Sequence, residues 1–535
     1  MNDECLLPIG IQDFAGLRND GYIYIDKTMY IERMQATGKH FFLSRPRRFG
    51  KSLFVSALDA YWSGRKELFK GLEIEKAEEP GNESWIKYPV FHFDFNRENY
   101  LQSGALEGVL EDYLSGWEET YQTANMNASL AIRFQNLLKK ANEITGRRCV
   151  ILVDEYDKPL LDVMDDPVLD RHNRAVMKGF FSSLKSYDKY IRFVFITGVT
   201  RFNKVSIFSD LNHLNDISMV TEYAAVCGIT EEEIACFLKS PIEDLAKRKH
   251  ISTDECRKIL RKRYDGYHFA PSIDDMKLAE SVYNPDSLLS ALANSQFDSY
   301  WFASGTPSFL IKKIKAMDFD IRQFSGGKDG YLASADMLGN YMGDEADLDV
   351  VPLLYQTGYL TLADYDPDGR YFVLGYPNEE VKYGFLKCLL PEYTGGTQSR
   401  RGNDILSLNQ YLRNGNTDAV RNVLVSLFAG IPYSTDHAPF EHYFQSIIYI
   451  IFTMLGQYVH CEQHMYTGRI DCVVETDRYV YLFEFKRDGS ADSALSQLQE
   501  KQYTLPYVAD SRTIYRIGVN FDSQKRMLTE WKAET

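Results

Sequence analysis

The chain has 535 residues, 44% of them hydrophobic, and a formal charge of −15. One hydrophobic core does not serve that length, so two or three domains are expected, with ample apolar content to bury them. The acidic balance argues against wholesale coating of nucleic acid while leaving room for a local basic groove, and eight cysteines without a C-x-x-C pair speak against structural zinc or a disulfide framework.

The opening MNDECLLPIGIQDF carries acids where a secretion signal needs a basic start, and its apolar stretch is too short for a signal core. No apolar span approaches the ~20 residues that cross a bilayer. The longest, Ile447 to Leu455, is broken by tyrosine and threonine. The expectation is a cytoplasmic protein with no membrane partner.

From Tyr22 to about Val226, short apolar runs alternate with amphipathic stretches, the pattern of a parallel α/β sheet that holds ligands at its carboxyl edge. Strands are predicted at Phe41–Ser44, Val90–Phe95, Val150–Val153 and Phe193–Thr197, and helices over Leu106–Tyr121 and Leu130–Ile144. Residues Phe41 to Phe54, FFLSRPRRFGKSLF, read as strand, compact basic turn and helix. Gly50 lets the backbone approach a phosphate, Lys51 can reach the β/γ-phosphates, Ser52 can ligate Mg²⁺, and the helix start offers unpaired N–H groups. The spacing departs from G-x-x-x-x-G-K-S/T, because Arg45 stands where the first glycine belongs. Further on, Cys149 to Val153 runs into Asp154-Glu155. We expect this buried strand beside the loop strand, Asp154 holding Mg²⁺ and Glu155 polarising an attacking water. The plainer reading is a β-branched strand ending in a solvated acidic turn.

A helical middle region follows, opened by Thr230 as N-cap with Glu233 completing a capping box. His268 reads as a packed, hydrogen-bonded side chain rather than a ligand. Leu354–Thr361 and Tyr371–Leu374 are expected to pair across Asp366-Pro367-Asp368-Gly369, as a winged-helix wing or small linking module. Gly395 to Asn403 is the best linker candidate. The expected domains are 1–228, 229–394 and 404–535.

The tail holds a second constellation. A strand ending in Asp471 of Gly468-Arg469-Ile470-Asp471 would turn and pair with Tyr479–Lys486, whose alternate residues Glu484 and Lys486 share a face. Two carboxylates can hold Mg²⁺, and the lysine can orient the hydrolytic water, a set suited to metal-assisted phosphodiester cleavage. Glu441 could add a carboxylate from an upstream helix, and Gln497 could face the same cavity. The plainer reading of Glu484 and Lys486 is an exposed edge-strand face. From Ile431 to Thr535 the chain has ten Lys and Arg against fourteen Asp and Glu, unusual for an autonomous DNA binder.

Ile25-Asp26-Lys27-Thr28, Arg45-Pro46-Arg47-Arg48-Phe49-Gly50-Lys51-Ser52-Leu53, Val153-Asp154-Glu155-Tyr156-Asp157 and Ile196-Thr197-Gly198-Val199-Thr200-Arg201 resemble the signature stretches of the bacterial AAA-ATPase-like family. Its proteins often end in a PD-(D/E)XK nuclease-superfamily domain, whose pattern Asp471, Glu484-Phe485-Lys486 and Gln497 resemble. The resemblance implies a P-loop NTPase parallel sheet flanked by helices, a helical or winged middle region, and a C-terminal α/β restriction-endonuclease-like domain. It implies ATP and Mg²⁺ as cofactors, with Arg45, Arg47, Gly50, Lys51, Ser52 and Thr197 on the nucleotide. Ser52, Asp154, Glu441, Asp471 and Glu484 would serve metal, and Glu155, Arg201, Glu484 and Lys486 catalysis. Thr197 would be the γ-phosphate sensor, and Arg201 an arginine sensor or finger, against a simple salt bridge to Asp210 or Asp216. Arg48 reads as part of a solvated basic turn. Asp26 and Lys27 could position adenine or ribose, or pack against the first helix.

The function these readings point to is an ATP-hydrolysing machine coupled to a nuclease-like domain acting on nucleic acid, DNA ahead of RNA, with homo-oligomerisation compatible. The alternative is a switch-like ATPase whose tail only recognises nucleic acid or protein. A small-molecule kinase, a third reading, is weakened by Glu155.

Overall fold

Runs of β-branched and aromatic residues build the first sheet of the computed structural model. The structure describes residues 6–78, 85–123, 128–201, 214–272, 277–304, 310–311, 314, 320–325, 330–339, 350–430, 440–457, 460–463 and 470–535. Strands β1 (His40–Ser44), β2 (Val90–Asp94), β3 (Cys149–Asp154), β4 (Ile191–Gly198) and β5 (Asn215–Asp216) lie parallel in the order β2-β3-β4-β1-β5. The run CVILVD makes β3 buried along its whole length, as a central parallel strand covered on both faces should be. Helices Ala105–Tyr121 and Leu130–Thr145 cover the β2 side. There Phe93 meets Trp117 at 4.9 Å and Phe134 at 5.4 Å between ring centroids. The predicted strands and helices of this region are thus observed within a residue or two.

One expectation of the topology is corrected. The acid-bearing β3 does not lie beside the loop strand β1, because β4 is inserted between them. The helix that follows β1, Lys51–Trp62, packs against β3 as well as β4, and this tilt lets its first turn reach the β3 end.

Helices Glu231–Phe237, Lys239–Lys249, Thr253–Tyr264 and Pro285–Asn294 form the middle region around Ile234, Leu238, Leu245, Leu260 and Leu288. The Thr230/Glu233 capping box is present in both directions, and His268 is hydrogen-bonded through Nδ1 to the Ala279 carbonyl at 2.7 Å. A small sheet, β6 (Tyr331–Ser334), β7 (Thr361–Asp366) and β8 (Tyr371–Gly375) in the order β6-β8-β7, has a hairpin across the expected turn, with Asp366 opposite Tyr371, but the hairpin's first strand starts where the predicted one ends. Of the expected strand Leu354–Thr361 only Thr361 belongs to it, and Leu354 to Gln356 are helical. These residues end the wholly buried helix Val350–Gln356, where continuous burial rather than alternation explains the apolar run. All of these elements fall in one compact unit, Met1–Trp301 with Gly326–Glu380.

The second unit comprises Phe302–Ser325 and Val381–Thr535. Its sheet runs β13-β12-β11-β10-β9, from β9 (His460–Gln463), β10 (Cys472–Glu475), β11 (Tyr479–Arg487), β12 (Thr513–Asp522) and β13 (Met527–Glu534). Only β11 and β12 are parallel, and helix Ala491–Glu500 connects them. The expected linker at Gly395 to Asn403 is instead a helix corner. Gly395 and Gly396 turn the chain, Thr397 caps helix Gln398–Arg413, and the buried Arg401 guanidinium donates to the Gly395 carbonyl at 2.7 Å and pairs with Asp404. Small polar residues spelled a turn and a cap there, and one buried cation ties them into the fold.

Candidate functional sites

In the first unit Gly50 adopts a left-handed φ of 89° just before helix Lys51–Trp62, so the chain reverses tightly and presents the first-turn N–H groups. Phe49 points the other way, buried against Tyr267 at 4.8 Å and Phe269 at 5.4 Å. It anchors the loop in the middle region. Lys51 is 3% exposed, donates to the Pro46 carbonyl at 3.2 Å and lies 3.4 Å from Glu155 Oε1. Burial, reinforced by the neighbouring Glu155 charge, raises the Asp154 carboxyl to about 6, while the Ser52 hydroxyl and Lys51 draw it back. Lys51, Ser52, Asp154 and Glu155 therefore meet in one place although β1 and β3 are not neighbours. Glu155 sits at φ 51°, a conformation that turns its side chain out of the strand toward the lysine.

The tail of β4 laces these parts together. Thr197 donates its hydroxyl to the Leu43 carbonyl at 2.8 Å, and its own carbonyl accepts from Tyr156 N at 3.1 Å. Asp157, fully buried, accepts from Val199 N at 3.0 Å and from both Thr200 N and Thr200 Oγ1 at 2.6 Å. A Cβ at Gly198 would stand 2.4 Å from Asp157 Oδ1, so no larger residue fits without displacing that carboxylate. Asp157 was not singled out from the sequence. Its signal was its place in Val153-Asp154-Glu155-Tyr156-Asp157, where a third acid two positions after a strand end is hard to explain as a solvated turn.

Arg45 makes its hydrogen bonds away from Lys51, Ser52, Asp154 and Glu155. Its guanidinium is 1% exposed and donates to the carbonyls of Ser44, Ser218 and Tyr223 at 2.9, 2.8 and 3.0 Å, and it lies 4.1 Å from the Phe269 ring centroid. Burial lowers its pKa to about 10. Arg201 is also buried. Its Nε donates to Ser44 Oγ at 3.0 Å and lies 3.7 Å from Asp216, one of the two partners the salt-bridge reading named. Asp210 lies outside the described residues. Arg47 is exposed at the loop tip; Arg48, at φ 69°, lies 3.9 Å from Asp286. Asp26 accepts from Thr28 and Glu73 N–H groups, and Lys27 pairs with Glu233, both packing contacts.

In the second unit Asp471 precedes β10 instead of ending a strand. The hairpin is nevertheless formed, with Cys472 opposite Phe483. Asp471 Oδ2 accepts from Phe485 N at 2.8 Å, which brings it beside Glu484. Glu484 is 2% exposed, and burial together with the Asp471 charge raises it to about 7 against the pull of Lys486. Among the described residues its Oε2 has no hydrogen-bond partner, while Oε1 accepts from Lys486 Nζ at 3.2 Å. Lys486 also donates to Gln497 of helix Ala491–Glu500. Burial rather than exposure settles against the edge-strand reading. Among the described residues no three His, Cys, Asp or Glu side chains gather as a metal cage. Gly468 and Arg469 lie outside the described residues, as does the side chain of Glu441, at the start of helix Phe440–Leu455. The sequence reading missed Tyr503, whose buried hydroxyl lies near Glu484, Asp471 and Gln497.

Known proteins resemble both halves. Residues 8–208 match a family model described as predicted AAA-ATPase, and residues 439–531 one described as PD-(D/E)XK nuclease superfamily. Over 546 aligned positions the chain is 33% identical to an uncharacterized protein encoded in the vnfD 5′ region of Azotobacter chroococcum mcd 1, covering 99% of both chains. Among the described residues no helix is long and apolar enough to cross a membrane.

Proposed function

From a chain that belongs to the predicted AAA-ATPases carrying a PD-(D/E)XK nuclease-superfamily domain, we propose a protein that binds and hydrolyses ATP in its first unit and cleaves nucleic acid in its second. The observation that supports the ATPase most is the convergence of Lys51, Ser52, Asp154 and Glu155 on a helix N-terminus. Lys51 exchanges the Pro46 carbonyl and Glu155 for the β- and γ-phosphates. Ser52 and the buried Asp154 would hold an accompanying Mg²⁺, which would supply charge neutralisation for the phosphates. Glu155, released from Lys51, orients the attacking water. Thr197 and Arg201 act from behind, as positioning residues for the loop strand. Lys51→Ala should lower ATP turnover by roughly 100-fold or more. A variant with unchanged turnover, measured as phosphate release, ends this reading.

For the second unit, Asp471 and Oε2 of Glu484, which has no partner among the described residues, are the donors we assign to Mg²⁺, with Lys486 steadying the water and the phosphate. DNA is the substrate we place first. Glu484→Ala should abolish Mg²⁺-dependent cleavage of oligonucleotides, and full cleavage by that variant refutes the assignment. The acidic balance of the tail favours a second reading, an ATP-driven switch whose tail binds without cutting; wild-type protein that binds but never cuts selects it.

A further inference from the structure

Two residues past Tyr503, the chain makes a single 3₁₀ turn, Leu505–Tyr507, which together with its C-cap Val508 carries two bare aliphatic side chains. Leu505 is 60% exposed and Val508 76%, the highest value among the exposed large apolar residues described. Single exposed aliphatics are ordinary. This pair differs in three respects. Residues three apart in a 3₁₀ turn eclipse, so Leu505 and Val508 project side by side. The turn is also held stiffly, by Leu505 N to Gln502 O at 3.0 Å, Tyr507 N to Thr504 O at 3.0 Å and Val508 N to Leu505 O at 3.3 Å, with Pro506 restricting it further. Tyr507 roots it, packing on the core around Leu482 and Leu498 and donating its hydroxyl to Glu475 at 3.1 Å. Finally, the protrusion continues the helix that brings Gln497 to Lys486, and Tyr503 at its base borders Glu484 and Asp471.

We propose that Leu505 and Val508 form a wedge that enters a base step of nucleic acid lying across Glu484 and Lys486. This rests on the nuclease reading of the second unit. A convex, rigid, apolar tip suits insertion between stacked bases, as leucine-type wedges do when they unstack and kink a duplex. It does not suit a second copy of the chain, since a stable protein interface needs about 1,000 Å² of complementary surface and two side chains on one turn present far less. Leu505 is two residues from Tyr503, at most about 7 Å along the chain, so the wedge falls within a few base steps of the acids. The exposed Lys501 just before it is placed for a flanking phosphate. Unstacking there would bend the strand toward Glu484 and explain how an acidic domain engages a duplex with few cations.

The test uses the full chain and a DNA duplex carrying 2-aminopurine near its centre, with Ca²⁺ replacing Mg²⁺ so that strands stay intact. Wild-type protein should raise the fluorescence, and the double variant Leu505→Ser, Val508→Ser should lose most of that rise. Both positions are exposed, so the fold is kept. In Mg²⁺ the variant should still cut a single-stranded oligonucleotide within about twofold of wild type, because no base pair needs opening. A rise undiminished in the variant, no rise with wild type, or a variant that changes only its mass by light scattering overturns the wedge; the last outcome would identify a contact between copies. Glu484→Ala separates the two claims. If it keeps the fluorescence rise and loses cleavage, both stand; if it cuts like wild type, the nuclease assignment falls while the fluorescence still decides the wedge.

Discussion

The Lys51 loop and the Glu484 site set a buried carboxylate beside a lysine by opposite routes. In the first unit the lysine is at a helix start and the acids at the end of a strand two positions away in the sheet, and the gap is bridged by buried polar groups: Arg45 on three carbonyls, Thr197 on Leu43, Asp157 on Val199 and Thr200. In the second unit strand alternation alone puts Glu484 and Lys486 on one face, and Asp471 needs one backbone N–H to join them. The first site is held by its surroundings. The second is held by its own strand, with a neighbouring helix supplying Gln497. Damage to supporting residues should therefore be costly in the first unit, while removing the acid itself should relax the second.

The largest expected effect follows from Asp157. Replacing it by Asn presents an amide donor to backbone N–H groups that already donate, and should cost the first unit about 3 kcal/mol or more. ATP turnover should fall with it, read by calorimetry and phosphate release; a loss below 1 kcal/mol would mean the lacing is dispensable. Arg45→Met leaves three carbonyls short of a donor, but it also removes a buried cation that is costly to desolvate. A smaller loss of about 1–3 kcal/mol is expected, with ATP affinity weakened through the displaced loop.

Glu484→Gln should act in the opposite direction. The folded-state pKa of Glu484 is raised to about 7, above an ordinary carboxyl, so the acid stabilises the fold relatively at low pH and that contribution is lost as pH rises through 7. At pH 8 Gln should therefore raise stability by about 1–3 kcal/mol while ending metal-dependent cleavage. At pH 5 the gain should vanish. Asp154, raised to about 6, follows the same sign one unit lower, so Mg²⁺ dependence should strengthen through pH 6 in ATP binding and through pH 7 in cleavage. Coincident profiles would break the contrast between the sites. The smallest effect belongs to Arg48→Ala, whose long, exposed pair with Asp286 should contribute no more than about 1 kcal/mol in thermal unfolding.

Much was readable from residue order because it depends on neighbours along the chain. Alternation placed Glu484 with Lys486; a β-branched run marked β3; glycine before lysine marked the turn into helix Lys51–Trp62; Thr230 and Glu233 marked a cap. These are interactions within a few residues, where backbone geometry permits few outcomes. What residue order left open was decided by groups far apart in the chain. Strand order put β4 between β1 and β3, and Arg45 found carbonyls 173 and 178 residues away, so a cation expected on phosphate became a strut. Gly395 to Asn403 became a helix corner because Arg401 is buried. Whether a polar side chain meets ligand or protein depends on desolvation and on which distant partner compensates it, and only the folded chain supplies that partner.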